Sequence, residues 1–485
     1  MASLRRSISS GIFYTAVARY SNIVISILVT AILARLLKPD EFGIVAIAMV
    51  FITFFTYLGD FGIGPAIIQN KDLDHADIES VFTFSILTGL LLSFIFFFGA
   101  SLISYFYNEP ELKNICRILA VSILFFSMKV VPEALNRKNL LFKKIGILSV
   151  IIQLISGSVA VILALNELSY YALVIKSVID SLFLLMGNYY LNPVTFRFKI
   201  RKESVFKIWR FSTYQFLFNL ISYFTRNMDN LLIGKYYGAG ALGFYDKAYS
   251  LMMMPVANLT NVITPVLHPV LSGYQNDKSK ILGFYMIIFR ILSVIGFPLS
   301  VFLYFSGSEI INIIYGPQWS ESIPIFKILA AIVGVQVIMS SAGSIFQAMN
   351  KIELMFISGL ISSTLIFMGI LYGIFIDKSL ESIAVGISVA YFLSFFITYL
   401  FLIKGAFGAS LTQFISEMVV PLVITSGVFL VNVAMMSFTI ENIYYSLIFK
   451  MLGSGTAFMI LFIVPVRNRK LLLEYKQKIL KRGKS

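Results

Sequence analysis

The sequence predicts an all-α polytopic membrane protein of fourteen transmembrane helices, and three observations carry that expectation. Apolar residue types make up 58% of the chain and charged ones only 13%, about half the charged share of a soluble domain. Apolar stretches long enough to cross a bilayer, about 20 residues each, recur from end to end. The chain also echoes itself: at an offset of 200, Arg35 falls on Lys235, Phe42 on Leu242, Gly43 on Gly243, Ala48 on Ala248 and Pro65 on Pro265.

The first apolar run follows Arg5 and Arg6. It is read as a span and not as a removed leader, because it contains Arg19 and Asn22, continues to Leu37 and offers no small-x-small cleavage site. The expected spans are 12–36, 42–66, 82–106, 115–135, 145–165, 168–191, 208–233, 247–268, 282–306, 323–348, 354–376, 383–403, 414–436 and 444–465. The seventh is polar and the eighth carries Pro255 and Pro265. Both rest on the repeat, which aligns them with spans one and two. A Gly-rich turn, Gly238 to Gly243, is expected between them.

An even number of spans puts both termini on one side. Most of the 39 Lys and Arg, including Arg137, Lys138, Lys143, Lys144, the cluster at 197–210 and the tail after Arg467, lie on that side. The opposite loops hold Lys38, Lys113, Lys235, Lys247 and Lys378. Positive loops face the cytoplasm, so both termini are expected there. The same rule accounts for the net charge of +15 without nucleic acid as a partner.

The repeat extends beyond the opening echo. Leu102 to Tyr107 resembles Ile310 to Tyr315, and Arg117 to Ala120 resembles Lys327 to Ala330. The offset drifts from 200 to 208 to 210, as small loop insertions produce. The expected organisation is an N-terminal lobe at 1–191, a basic linker at 192–210, a C-terminal lobe at 211–403, extra spans at 404–465 and a basic tail at 466–485. Two six-span lobes form a parallel repeat about an axis along the membrane normal, with a central cavity between them and alternating access by rocking. The tail reads either as an amphipathic helix on the anionic membrane surface or as a solvated basic segment.

Several classes of chemistry are excluded. Cys116 is the one cysteine and His75 and His268 the two histidines, so neither a disulfide nor a His/Cys zinc site can form within the chain. No phosphate-binding G-x-x-x-x-G-K-[ST] loop is present. No metal, cofactor or catalytic set is expected, and the protein is read as a transporter and not an enzyme.

Charges inside spans are expensive and usually face a bundle interior or a water-filled cavity. Arg19, Lys129, Lys176, Arg226 and Arg290 are expected to form a cationic cavity, since arginine offers a planar fork and lysine a point charge to an anion. Lys176 and Asp180, four apart, and Arg226 and Asp229, three apart, are equally readable as internal ion pairs. Arg19 and Arg290 have no neighbour of opposite charge in their own helices. Lys450 reads as a span-end or lipid-facing residue whose amine reaches the interface. Asn22, Gln215 and Asn219 are candidate polar cavity residues, with hydrogen bonding between helices as the competing role. Asp180, Asp229 and Glu417 are candidates for a coupling ion, because a carboxylate in a low-dielectric site can take up a proton.

The stretches A-R-L-L-K-P-D-E-F-G (34–43), D-F-G-I-G-P-A-I-I-Q (60–69) and R-N-M-D-N-L-L-I-G-K-Y-Y-G-A-G-A-L-G-F-Y-D-K-A (226–248) resemble the polysaccharide transport branch of the multidrug/oligosaccharidyl-lipid/polysaccharide exporter superfamily. Within it the chain is similar to the lipopolysaccharide and colanic-acid type flippases. The resemblance implies a bacterial inner-membrane protein that carries an undecaprenyl-pyrophosphate-linked oligosaccharide from the cytoplasmic to the periplasmic leaflet, coupled to H+ or Na+. It implies a polyprenyl-pyrophosphate-linked glycan and membrane lipids as partners, with a polysaccharide polymerase and chain-length proteins as further candidates. Relatives line their cavity with Arg and Lys, which supports Arg19, Arg226 and Arg290 by position in spans 1, 7 and 9. A cation-coupled multidrug exporter and a peptidoglycan-precursor flippase of the same superfamily remain alternatives, as does a membrane polysaccharide polymerase outside it.

Overall fold

The structure, a computed structural model, describes residues 2–70, 72–196, 201–272 and 277–463, with the side chains of 2–13, 202–222, 225, 261–272 and 413 left aside. The side chains of Gln215 and Asn219 and the tail expected at 466–485 therefore lie outside the described residues. Among these the chain is helical and contains no strand.

The helices follow the apolar stretches, and their ends follow capping chemistry. Helices α1 (Ala2–Leu36) and α2 (Pro39–Asp60) are separated by two residues. Lys38 is extended there and its backbone N–H donates to the Glu41 carboxylate at 2.6 Å. Pro39 starts α2, where its missing N–H costs nothing, and Asp40 and Glu41 complement the positive end of the helix dipole. The second span then breaks at Phe61 and Gly62, both left-handed, before α3 (Ile63–Gln69). Asp74 and Asp77 form a reciprocal capping box at the start of α4 (His75–Tyr107). Helices α5 (Glu111–Lys138), α6 (Phe142–Leu165) and α7 (Tyr171–Leu191) complete the first six spans.

Helix α8 (Lys202–Ser272) corrects one expectation. The Gly-rich stretch Gly238–Gly243 is not a loop: Gly238 alone leaves the helix, at φ 84°, ψ 179°, and the chain is helical again from Ala239. That φ favours glycine. The two arms of α8 cover the segments expected as spans seven and eight, and the break at Gly238 mirrors the one at Lys38, 200 residues earlier.

The remaining helices are α9 (Lys278–Phe305), α10 (Gly307–Ile314), α11 (Ser322–Ala330), α12 (Val333–Ala348), α13 (Ile352–Tyr372), α14 (Leu380–Leu400), α15 (Leu411–Met435) and α16 (Ile443–Ile463). Helices α11 and α12 are long and apolar enough to cross a membrane only when taken together, with a 51° bend between them. Eleven helices among the described residues are long and apolar enough to cross a membrane, or up to twelve with the bent pair counted as one span.

The chain divides into two compact units: Met1–Asp246 with Ile314–Gln318, and Lys247–Ile313 with Trp319–Ser485. In the first, α4 packs on α5, α1 on α6, and α5 on α2, α3 and α7. Ile63, Ile67, Val81, Phe82, Val131 and Ala134 form one buried cluster between α3, α4 and α5. In the second, α9 packs on α12 and α15, α13 on α14 and α15 on α16. Gly296 meets Gly334 and Gly369 meets Gly386, backbone against backbone. Small residues permit this close approach where lipid removes the hydrophobic drive for helix association.

Candidate functional site: a cationic pocket between the first and fifth spans

One face of α1 and one face of α6 enclose a cavity of about 580 Å³. Thr15, Arg19, Asn22 and Ser26 recur at three- and four-residue steps, so they share one side of α1. Ile145, Ser149 and Gln153 do the same on α6, and Arg137 closes the space from the last turn of α5. The two helices approach closely at Gly146, where a Cβ would lie 2.8 Å from that of Ala18. Arg19 lies five residues inside the span Tyr14–Leu36.

The pocket sets polar and positive groups in a largely apolar wall. Among the described residues, two arginines line it and no acidic residue does. Asn22 donates through Nδ2 to Ser149 Oγ at 2.9 Å, and Ser149 Oγ donates to the Gly146 carbonyl at 2.8 Å. The other end of the amide, Asn22 Oδ1, is buried without a partner. Arg137 is held from outside the pocket: Nε and Nη2 donate to Glu133 Oε1 at 3.2 and 2.7 Å. Lys129 Nζ donates to Glu133 Oε2 at 2.7 Å. Glu133 thus sets the orientation of Arg137, whose side chain stays 55% exposed. A second cavity of about 330 Å³, lined by Phe51, Phe54, Phe55, Phe96, Tyr223 and Phe224 among others, is apolar and has no cation for an anion to meet.

The structure places each expected site residue. Arg19 and Asn22 line the cationic pocket. Arg226 is exposed on the first arm of α8 and makes no ion pair or hydrogen bond among the described residues. Its neighbour Asp229 is buried, and accepts from Tyr245 Oη at 2.8 Å and from the Asn230 backbone at 2.9 Å. The two therefore do not neutralise each other. Lys176 pairs with Asp180 at 2.7 Å, and Lys129 with Glu133.

Arg290 does have a partner, on another helix. Its Nη2 meets Glu417 Oε2, both side chains being largely buried. The reading of Lys450 as lipid-facing is corrected: it contacts Glu309 and donates to the Phe305 carbonyl at 2.9 Å, tying α16 to α9 and α10. A separation of 127 or 141 residues hides such pairs from any inspection of single helices. Sequence reasoning also missed Arg137, Ser149 and Gln153 as pocket residues. Arg137 counted only as a cytoplasmic-loop cation, and the polar positions of α6 gave a signal only in their four-residue spacing.

Comparison with known proteins follows the same line. The family model described as "Polysaccharide biosynthesis protein" matches residues 32–324. The lipopolysaccharide biosynthesis protein WzxC of Escherichia coli K12 is 24% identical over 440 residues, covering 89% of this chain and 88% of that protein. The teichuronic acid biosynthesis protein TuaB of Bacillus subtilis is 25% identical over 363 residues, covering 73% and 74%. Among solved structures, the lipid II flippase MurJ in an inward closed conformation superposes with TM-score 0.75 at 16% identity, over 94% of this chain and 99% of that one. A multidrug resistance transporter of the MATE family in an inward-facing conformation superposes with TM-score 0.63 at 15% identity, over 78% and 93%. The fold is that of these two proteins.

Proposed function

The chain belongs to the polysaccharide biosynthesis protein family, and from that premise we propose that it is a flippase for a lipid-linked oligosaccharide. The substrate is a glycan on a polyprenyl pyrophosphate, undecaprenyl in bacteria, carried from the cytoplasmic to the periplasmic leaflet. The proposal takes fourteen spans in two six-span lobes with two extra helices, both termini cytoplasmic, in the inner membrane. Movement is by alternating access, driven by H+ or Na+.

The observation that supports this reading most directly is the pocket of Arg19 and Arg137, which among the described residues has no acidic lining side chain and lies beside the basic segment 137–144. Pyrophosphate presents several anionic oxygens, and a guanidinium meets two at once. The unpartnered Asn22 Oδ1 is an acceptor for a sugar hydroxyl. Arg226, an exposed cation well inside a helix, supplies a further positive point where only water or an anion makes it affordable. A cation-coupled drug exporter would be served by acidic lining instead.

Hydrogen bonds to charged groups contribute about 1.5–3 kcal/mol each, or about ten- to hundredfold in affinity. Arg19→Ala combined with Arg137→Ala is therefore expected to abolish surface polysaccharide and to accumulate the lipid-linked intermediate at normal protein level. Unchanged surface polysaccharide in that double variant would refute the pocket assignment.

A further inference from the structure

The two copies of the internal repeat differ in what covers one of their faces. At the offset of 208, Phe97 corresponds to Phe305, Gly99 to Gly307, Ser101 to Glu309 and Tyr107 to Tyr315. In the second unit this face carries a helix. Glu309 is buried and accepts from Ser446 Oγ at 2.8 Å, and Lys450 contacts the same carboxylate. Lys450 Nζ also donates to the Phe305 carbonyl at 2.9 Å. Two polar side chains thus seat the apolar helix α16 over this stretch.

In the first unit the corresponding face is open. Phe94 and Phe98 of α4 and Ile118 and Val121 of α5 are exposed, as is Ser101. The charge differs as well. Serine stands where the second copy has its carboxylate, and α5 brings cations to this side. The Arg117 guanidinium lies 5.2 Å from the centroid of the Phe97 ring. Its Nε is buried without an acceptor, and the side chain makes no ion pair or hydrogen bond among the described residues. Lys113, one turn earlier on the same face of α5, is exposed and likewise unpaired among the described residues.

Ser101 lies six residues before the end of α4 and Arg117 six after the start of α5, so both sit about 9 Å from the turn that joins these helices. Helix α5 is about 42 Å long against about 30 Å of hydrocarbon, which puts Arg117 about 3 Å inside the apolar layer when the helix is centred. An unpaired cation there is costly, and whatever covers it must bring an anion. A helix seated by a lysine, as α16 is, has the wrong sign. A phospholipid has the right one: its chains cover exposed apolar side chains and its phosphodiester accepts from Arg and Lys. We propose that the groove between α4 and α5, near their Tyr107 and Glu111 ends, binds an anionic phospholipid of the bilayer. The phosphate lies on Arg117 and Lys113, and the chains run along Phe94 and Val121. In the orientation taken above this is the outer leaflet. The site is twenty residues from Arg137 on α5, about 30 Å along the helix, and does not depend on the transport reading.

The purified protein in detergent, titrated with dioleoyl-phosphatidylglycerol and followed by native mass spectrometry, tests this. The wild-type chain is expected to retain one more phosphatidylglycerol than Lys113→Gln with Arg117→Leu, the affinity at that site falling about ten- to hundredfold per cation removed. Dioleoylglycerol has the chains without the phosphate and glycerol 3-phosphate the phosphate without the chains, and each should bind both proteins alike. Equal retention of phosphatidylglycerol by the two proteins overturns the proposal, as does glycerol 3-phosphate binding as tightly as the lipid. Retention of undecaprenyl pyrophosphate but not of phosphatidylglycerol would give the groove to the transported lipid and overturns the phospholipid. If the double variant does not fold, Ser101→Glu reports instead. It supplies the carboxylate of the second copy, pairs Arg117 within the chain and is expected to expel the lipid, so that unchanged retention overturns the groove. In native membranes a photocrosslinker in place of Phe94 should form lipid adducts, and protein adducts in their stead would mean a partner helix and overturn the lipid.

Discussion

Tyr245 donates its hydroxyl to Asp229 at 2.8 Å, joining the two arms of α8 across the break at Gly238. The aspartate is buried and the tyrosine fully so. Tyr245→Phe removes the donor and keeps the ring, leaving a buried carboxylate short of one partner at a cost of about 1–3 kcal/mol. The melting temperature in detergent is expected to fall. Asp229→Asn, which still accepts from the hydroxyl, should lose less, and equal losses would argue against the bond as the brace.

The Arg290–Glu417 pair connects α9 to α15 inside the second unit. Removing one member of a buried pair costs about 3–5 kcal/mol, because the other charge stays buried, whereas replacing both with apolar residues is often neutral. Arg290→Met alone and Glu417→Leu alone are each expected to lower the melting temperature sharply. The double variant should recover most of the loss while α15 stays docked. Additive losses in that double-mutant cycle would mean that the two side chains do not depend on each other.

A Cβ at Gly43 would overlap the Ala239 carbonyl oxygen, and one at Gly243 the Pro39 carbonyl oxygen. Alanine at either position forces this crossing apart, with a typical overpacking cost of about 1–3 kcal/mol. The melting temperature of Gly43→Ala and of Gly243→Ala in detergent is expected to fall. An unchanged melting temperature in both variants would contradict the contact.

Glu109 sits in the loop between α4 and α5, where its carboxylate accepts from the Ala239 backbone N–H. Burial pushes its pKa above the ordinary 4.5, the nearby Glu111 and Asp40 adding to the rise against that hydrogen bond. The folded protein therefore holds this proton more tightly than the unfolded chain. The associated stability is fully present below pH 4.5 and is lost as pH rises through the higher folded value. Melting measured across that interval should show Glu109→Gln with a flatter pH dependence than the parent.

Much of the fold was legible because the membrane imposes one rule throughout: backbone groups in hydrocarbon must bond within the segment, so apolar runs become helices. The spans read from hydropathy fall on α1–α7, α9 and α11–α16, and the repeat aligned the neighbourhoods of Lys38 and Gly238 while reading the second as a longer Gly-rich turn. The site was legible only in part. Arg19 and Asn22 announced themselves as polar groups in an apolar run, whereas Arg137 was indistinguishable from any other loop cation.

Composition and periodicity alone determined that the chain is a helical membrane protein and where cations enter its apolar stretches, because each follows from local transfer energies along the sequence. Which charges are paired across helices was decided by tertiary structure. Arg290 and Lys450 are neutralised by Glu417 and Glu309 from distant helices, Asp229 is taken by Tyr245 and not by Arg226, and Arg137 lines the pocket while its guanidinium is bound to Glu133. Charge pairing depends on separation in space, and a sequence states only separation along the chain.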